Sequence, residues 1–314
     1  ALVLLLVMAA PVLDMRLGFS DAGNNPESLH SRRAYDLLAR GFGPGFNGPF
    51  VVAVELPPDS DDATLTRLTE VFSATEGVAF ASPARMSPNG DAAVISVVPV
   101  GSPQDESTAQ LLDRLREHVI PEATAGTEVR AYVGGITATF GDLGDRIASR
   151  LPLFLAIVIG LSFVLIMVVF RSIAVPIKAA AMNLLSIGAA YGVLVAIFQW
   201  GWLSGPLGTG GPGPIESFLP MMLFAVLFGL SMDYEVFLVS RIHEEYLRTK
   251  DNAVSVARGL ASTASVISAA ATIMIVVFLS FVMNDQRVVK EFGLGLAVAI
   301  LVDATVVRLL LVPA

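Results

Sequence analysis

The chain has 314 residues, of which 54% are hydrophobic and 15% charged, and its mean hydropathy is +0.70. This hydropathy is typical of membrane proteins and argues against a soluble enzyme. The net charge of −8 disfavours a nucleic-acid partner, and the absence of cysteine excludes disulfides and thiolate chemistry. Three widely separated histidines and the lack of a phosphate-binding loop give no reason to expect a metal or cofactor.

The chain begins with an apolar segment, residues 2–13, that is too short to cross a bilayer by itself. It has no initiator Met and no basic flank, so it does not fit a signal peptide. We interpret residues 1–13 as a truncated first transmembrane helix. The abrupt end at Ala314 suggests that the other end is cut as well.

Residues 14–150 have the alternating character of a soluble domain. After a helix over residues 30–40, the pattern from Phe50 onward predicts strand, helix, strand, strand, helix and strand. These elements are expected near residues 50–56, 61–75, 77–81, 91–100, 105–119 and 128–133. This order is that of the ferredoxin-like split βαβ arrangement. The sequence therefore predicts an α+β domain inserted after the first helix.

The remainder, residues 151–314, is predicted to form a five-helix transmembrane domain. Its apolar stretches lie at about residues 151–170, 179–202, 217–240, 262–283 and 292–311. With the truncated helix, the fold class is a polytopic α-helical half-transporter of six helices. The segment 204–214 is rich in Gly and Pro and reads as a linker.

Basic residues in short connections set the expected orientation. Arg171 and Lys178 lie between the second and third helices, and four more basic residues follow the fourth helix at 241, 248, 250 and 258. Both connections fall on one side, which should be cytoplasmic, so residues 14–150 should be extracytoplasmic. Arg287 and Lys290 oppose this assignment, but Asp285 and Glu291 flank them.

Asp233 and Tyr234 are adjacent within an apolar stretch. At 1.5 Å per residue, Asp233 is about 24 Å from Ser217 along a helix, which places it inside the hydrocarbon layer. An ionisable group at that depth costs about 2.5–3.5 kcal/mol and usually marks an ion or proton pathway. A tyrosine hydroxyl can donate to a carboxylate or accept from a carboxylic acid. The pair therefore suggests a proton relay, although a structural acid satisfied by a neighbouring helix is the alternative.

Two further polar features accompany this pair. Ser265, Ser268 and Thr272 form a hydroxyl stripe on the next stretch, and Asp303 follows Gly295 and Ala299 at intervals of four on the last one. We expect these faces to turn toward the Asp233 helix and support the relay. Helix packing by the hydroxyls, and a structural ion pair at Asp303, are the alternatives.

At this point a family resemblance becomes clear. The run Phe228-Gly-Leu-Ser-Met-Asp233-Tyr234-Glu235-Val-Phe-Leu-Val-Ser-Arg241 resembles the signature in the second half of the MMPL (mycobacterial membrane protein large) family, in the resistance-nodulation-division superfamily. Similar agreement extends over residues 33–49, 132–137, 290–296 and 303–308. The resemblance covers essentially the whole chain.

This resemblance implies a proton-motive-force-driven exporter of lipids or other hydrophobic or amphipathic molecules in the bacterial plasma membrane. It implies that Asp233 and Tyr234 face an equivalent pair in another half, and that residues 14–150 form a porter domain. The expected partners are membrane lipids, the hydrophobic substrate and the missing first half, or a second copy of this chain. A non-transporting membrane sensor or assembly factor and a proton-driven accessory of protein secretion are the alternatives.

Overall fold

The computed structural model describes residues 1–57 and 62–311, and for residues 62, 234, 235 and 309–311 it describes the backbone alone. The predicted start of a helix at residue 61 and the chain end at 312–314 lie outside this range. The chain divides into two compact units. One comprises Gly18–Arg146, and the other comprises Ala1–Leu17 together with Ile147–Ala314.

Helices account for most of the described residues. In chain order they are α1 Leu2–Ala9, α2 His30–Phe42, α3 Asp62–Ala74, α4 Glu106–Arg114, α5 Ile120–Ala123, α6 Ile136–Phe170, α7 Ala174–Leu194, α8 Ser204–Leu207, α9 Leu219–Thr249, α10 Asn252–Ser280 and α11 Arg287–Val302. The strands are β1 Leu17–Gly18, β2 Phe50–Glu55, β3 Val78–Ala81, β4 Arg85–Met86, β5 Ala92–Pro99, β6 Arg130–Gly134 and β7 Ile215–Glu216.

The smaller unit is built on an antiparallel sheet in the order β3-β5-β2-β6, with β4 pairing onto β5. The central residue Val52 of β2 lies opposite Ile95 on one side and Val133 on the other. Along β2 the buried positions alternate, because successive side chains point to opposite faces of the sheet. The buried face packs against Leu68 and Phe72 of α3 and forms the core of the unit.

A half-buried acidic site lies near the beginning of this unit. Asp21 accepts a hydrogen bond from Gly23 N at 2.7 Å and another from the Tyr35 hydroxyl. Burial raises the pKa of the Asp21 carboxyl above its ordinary value. Burial, together with the nearby Asp21 carboxylate, raises the pKa of Tyr35 to about 12. The charged form of Asp21 is therefore a destabilising element at neutral pH.

We expect Asp21→Asn to stabilise the smaller unit at pH 7. A carboxyl whose pKa is higher in the folded state contributes stability at low pH and loses it as the pH rises through that pKa. The gain in Asp21→Asn should therefore be present at pH 7 and disappear as the pH falls to the ordinary pKa of an aspartate, about 3.9. Hydrogen exchange of the β2 amides, compared with the unsubstituted protein at each pH, measures it.

Asp142→Asn is the matched control with the opposite sign. Arg116 donates to both carboxylate oxygens of Asp142, one of them at 3.0 Å, and these hydrogen bonds lower the pKa of Asp142. Its removal should weaken the unit slightly at pH 7, because the pair is solvent-exposed. Equal effects of the two substitutions at pH 7 would contradict the assignment of Asp21.

The larger unit is helical. Among the described residues, four helices are long and apolar enough to cross a membrane, namely Ile136–Phe170, Ala174–Gln199, Leu219–Thr249 and Asn252–Met283. This agrees with the predicted polytopic α-helical class. The last predicted stretch, residues 292–311, falls on α11 and on the π-helical run Asp303–Leu311 that continues it.

The short first helix packs closely against α7. Leu5 of α1 is fully buried, and a Cβ added at Gly192 of α7 would lie 1.8 Å from the Met8 carbonyl oxygen. Only glycine permits two helix backbones to approach this closely. Trp200, just beyond α7, donates from Nε1 to the Asp14 carboxylate at 2.8 Å. The apolar segment at residues 2–13 thus packs onto the helical unit along one side, with Leu5 buried.

Candidate functional site

Asp233 lies within α9, and its side chain is exposed on the surface of the chain. Ala225, Gly229 and Phe237, spaced from it by four residues, are exposed on the same face. Nothing lies within 4 Å of a Cβ added at Gly229, so this face is open. The orientation of the Tyr234 side chain lies outside the described atoms. The described chain therefore presents Asp233 outward from an apolar helix.

The predicted hydroxyl stripe is also on the outside. Ser265, Ser268 and Thr272 of α10 are exposed, and the Thr272 hydroxyl donates to the Ser268 carbonyl oxygen at 2.8 Å. The buried side of α10 is formed instead by other residues, including Ile267 and Ala271. The three hydroxyls therefore lie on a surface that is open in the described chain.

The small-residue face predicted on the last apolar stretch is buried, not exposed. Gly295 and Ala299 of α11 are buried, and a Cβ at Gly295 would meet Leu223 of α9 and Leu194 of α7 at about 3 Å. The α11 face therefore turns toward the Asp233 helix as expected, but the expectation is wrong for the α9 and α10 faces that carry Asp233 and the hydroxyls, because both are exposed in the described chain. Small residues let α11 pack into the core, while the faces of α9 and α10 that carry Asp233 and the hydroxyls stay open.

Asp303, unlike Asp233, is largely enclosed by the fold. Its side chain is 14% exposed, and Arg308 donates to its Oδ2 from Nη2 at 3.1 Å and from Nε at 3.3 Å. The Ser231 hydroxyl of α9 hydrogen-bonds the same carboxylate. In an α-helix, residues five apart lie on different faces. The π-helical run Asp303–Leu311, with hydrogen bonds between residues five apart, brings Asp303 and Arg308 together.

Two other buried polar side chains of α7 approach this ion pair. Asn183 is 3% exposed and Ser186 is 2% exposed. The Ser186 hydroxyl donates to the Ala299 carbonyl oxygen of α11 at 3.3 Å. Two cavities, of about 20 and 70 Å³, are lined in common by Asn183, Ser231, Asp303 and Arg308. The helical unit thus contains a polar centre connected to internal space.

A second buried cluster holds the Gly/Pro-rich segment at residues 204–214. Arg287 of α11 donates from Nη1 and Nη2 to the carbonyl oxygens of Thr209, Gly211, Phe198, Gly213 and Pro214. Its Nε donates to Glu291 at 2.8 Å, and this pair is almost completely buried.

Lys290 adds to this cluster, since its Nζ donates to the carbonyl oxygens of Leu207 and Gly208 at 2.7 and 2.8 Å. The segment interpreted as a linker is therefore fixed in place. The same contacts explain why Arg287 and Lys290 oppose the expected charge distribution. They are internal hydrogen-bond donors rather than solvated loop charges.

Sequence reasoning did not identify Asn183, Ser231 or the Arg287–Glu291 pair as parts of sites. Asn183 carries a signal that could have found it, because it is a polar amide inside the apolar stretch 179–202. Arg287 and Glu291 are spaced by four, as a helical ion pair would be, but no local signal indicates the carbonyl acceptors of Arg287, which lie more than 70 residues away. Within the described residues, no group of three His, Cys, Asp or Glu side chains could hold a metal ion.

Comparison with known proteins extends these observations. The profile of the MMPL family matches residues 59–314. The Bacillus subtilis (strain 168) "Membrane protein YdfJ" is 36% identical over 319 residues, covering 100% of this chain and 43% of that protein. The Mycolicibacterium smegmatis "Mycolic acid-containing lipids exporter MmpL11" is 38% identical over 320 residues, covering 100% of this chain and 33% of that protein.

A third relative is named for a different transported molecule. The Mycobacterium tuberculosis (strain CDC 1551 / Oshkosh) "Heme uptake protein MmpL11" is 38% identical over 315 residues, covering 99% of this chain and 32% of that protein. The chain thus spans less than half the length of each of these relatives. The family profile matches most of the chain, a relative aligns with all of it, and its helices are long and apolar. The chain therefore belongs to the MMPL family, whose members are multi-pass proteins of the cell membrane.

Proposed function

We propose that this chain is half of a proton-motive-force-driven exporter of lipids or other hydrophobic or amphipathic molecules. The observation that carries the proposal is Asp233, an acid on the open face of an apolar helix long enough to cross the membrane. An unpaired carboxylate facing lipid is costly, so this face requires a covering partner. A relative named as an exporter of mycolic acid-containing lipids supports the substrate class.

The finer architecture belongs to the same proposal. The smaller unit serves as an extracytoplasmic, ferredoxin-like porter domain, which its β3-β5-β2-β6 order and the helices packed on one face support. The short α1 and the continuous run α11 to Leu311 supply the first and sixth helices. The open face of α9 meets an equivalent half, either elsewhere in the polypeptide or in a second copy.

Asp233 and Tyr234 act as the proton relay in this scheme. A carboxyl covered by a second half can gain and lose a proton, and the tyrosine hydroxyl can hydrogen-bond either form. The exposed Ser265, Ser268 and Thr272 lie on the neighbouring helix, where a covering half would enclose them. Asp303 supports the relay from inside the unit through Arg308 and Ser231.

The test of the substrate class is transport by the protein reconstituted in lipid vesicles with an imposed pH gradient. Three probes are compared: a fluorescent acyl-chain lipid, heme and a hydrophilic dye of similar mass. We expect gradient-dependent movement of the lipid at a rate at least tenfold above that of the dye, a difference of about 1.4 kcal/mol in activation free energy. If heme alone moved, heme and not lipid would be the substrate. Gradient-independent movement of every probe would refute the proposal.

A further inference from the structure

The polar centre of the helical unit contains a side chain that its neighbours leave unsatisfied. Asn183 is 3% exposed, and its Nδ2 has no hydrogen-bond partner among the described residues. Buried amide groups in folded proteins are nearly always satisfied by protein atoms or by ordered water. Leaving such a group unsatisfied destabilises the folded state, so a buried donor with no protein acceptor points to a bound water.

The space for that water is present. Asn183 lines both cavities of the unit, the one of about 70 Å³ and the one of about 20 Å³. About 10–15 Å³ of space is enough for one water molecule when two to four polar partners are available. Asn183, Ser231, Asp303 and Arg308 line both cavities and supply such partners. The smaller cavity has room for one water and the larger one for several.

The two cavities differ in where they lead. The larger one is also lined by Leu238, Val239 and Ile242, at the end of α9 where the polar segment from Arg241 begins. The smaller one is lined by Leu227 and Leu230, about two to three helical turns before Leu238 in α9. The four shared polar side chains therefore stand between a chamber close to the membrane surface and a chamber deeper in the helical unit.

We propose that Asn183 binds ordered water in the larger cavity, and that this water connects Asp303 to the side of the membrane where α9 ends. The ligand is water and the proton it carries. Nδ2 of Asn183 donates to the water oxygen, and the water donates to the Asp303 carboxylate. The role in proton movement rests on the proposed function, whereas hydration of the cavity does not.

The exchange step is balanced within this cluster. A hydronium ion transfers one proton to an Asp303 carboxylate oxygen, which leaves neutral water and a carboxylic acid, and release is the reverse. Arg308 is the other titratable residue among the described residues lining the two cavities, and it stays protonated throughout. Asn183 acts as a positioning residue, since it holds the water and exchanges no proton itself.

Hydroxyl-radical footprinting tests the hydration directly, on the full protein in lipid nanodiscs. Met182 lines the larger cavity, and methionine is readily oxidised by radicals formed from nearby water. We expect Met182 to be labelled, and Asn183→Leu to reduce that labelling at least fivefold. This corresponds to about 1 kcal/mol in the free energy of water binding. Asn252→Leu, the same substitution at an exposed site at the start of α10, should leave it unchanged. An unlabelled Met182 would show a dry cavity and overturn the proposal.

Proton flux into vesicles tests the role of that water. Asn183→Leu should slow flux at least tenfold, equivalent to about 1.4 kcal/mol. Asn183→Ser, which keeps a donor and leaves room for another water, should retain flux within about threefold. The thermal midpoint of Asn183→Leu should be unchanged or higher, because an apolar side chain with the same number of heavy atoms replaces a buried amide whose donor only water satisfies.

The outcomes separate the two proposals. Normal flux in Asn183→Leu would refute the proton path. Loss of flux accompanied by a lowered thermal midpoint would show a merely structural role for Asn183. If the unsubstituted protein carries no proton flux, the proposed exporter function fails, while the footprinting still decides whether Asn183 binds water.

Discussion

Arg287→Met is expected to lower the free energy of unfolding by about 3–5 kcal/mol, the cost typical of removing one partner of a buried ion pair. The substitution leaves the Glu291 carboxylate buried without its cation, although Glu216 N still donates to it at 3.2 Å. It also removes the donors to five carbonyl oxygens of residues 198–214. Arg287→Lys should recover only part of this loss, because an ammonium group has three donors and lacks the planar fork.

Thermal unfolding in detergent measures this effect, and Arg241→Met is the matched control. Arg241 forms its ion pair with Glu244 at 2.8 Å on the exposed surface, so its loss should cost at most about 1 kcal/mol. The double substitution Arg287→Met with Glu291→Leu should be less destabilised than Arg287→Met alone, since it removes the stranded charge. Equal thermal midpoints for Arg287→Met and Arg241→Met would contradict the structural role given to Arg287.

The helical class of this protein is readable from local sequence. The four long apolar helices contain the predicted stretches 151–170, 179–202, 217–240 and 262–283 almost entirely, since about 20 apolar residues are needed to cross a bilayer. Within the smaller unit, β2 falls on the strand predicted at residues 50–56, and its buried positions alternate because one face of the sheet is covered and the other is not. Ranges of helices and strands follow from such local patterns.

Contacts between distant segments are not readable in this way. The Gly/Pro-rich segment 204–214 has the composition of a flexible linker, but Arg287 and Lys290 hold it through backbone carbonyl oxygens. A backbone acceptor leaves no trace in the side-chain sequence. Arg287 and Lys290 precede the last apolar stretch, so the sequence suggested that they lie in a loop at the membrane surface. In the structure both are internal hydrogen-bond donors.

The candidate site shows the same division. Spacing by four placed Gly295, Ala299 and Asp303 on one face, and the structure buries that face. The partner Arg308 is five residues from Asp303, and a π-helical run that α-helical periodicity does not anticipate brings the two together. Asn183 joins them from α7 through packing of helices distant in sequence.

Asp233→Asn is expected to abolish proton-driven transport while the protein still folds. Asparagine has the size of aspartate and keeps one carbonyl oxygen as an acceptor, but it cannot bind and release a proton. Asp233 is exposed in the described chain, so the substitution breaks no contact that holds this half together. Transport should fall at least a hundredfold, about 2.7 kcal/mol in activation free energy, with an unchanged thermal midpoint.

The most direct test of proton coupling is simultaneous measurement of lipid export and proton flux in vesicles carrying Asp233→Asn or the control Asp251→Asn. Asp251 caps the start of α10 by accepting from Val254 N at 3.1 Å, a role that asparagine fills equally well. We predict that both fluxes stop together in Asp233→Asn and continue in Asp251→Asn. Export that continues at the unsubstituted rate in Asp233→Asn would contradict the account, since the acid at the centre of the proposed relay would then carry no proton.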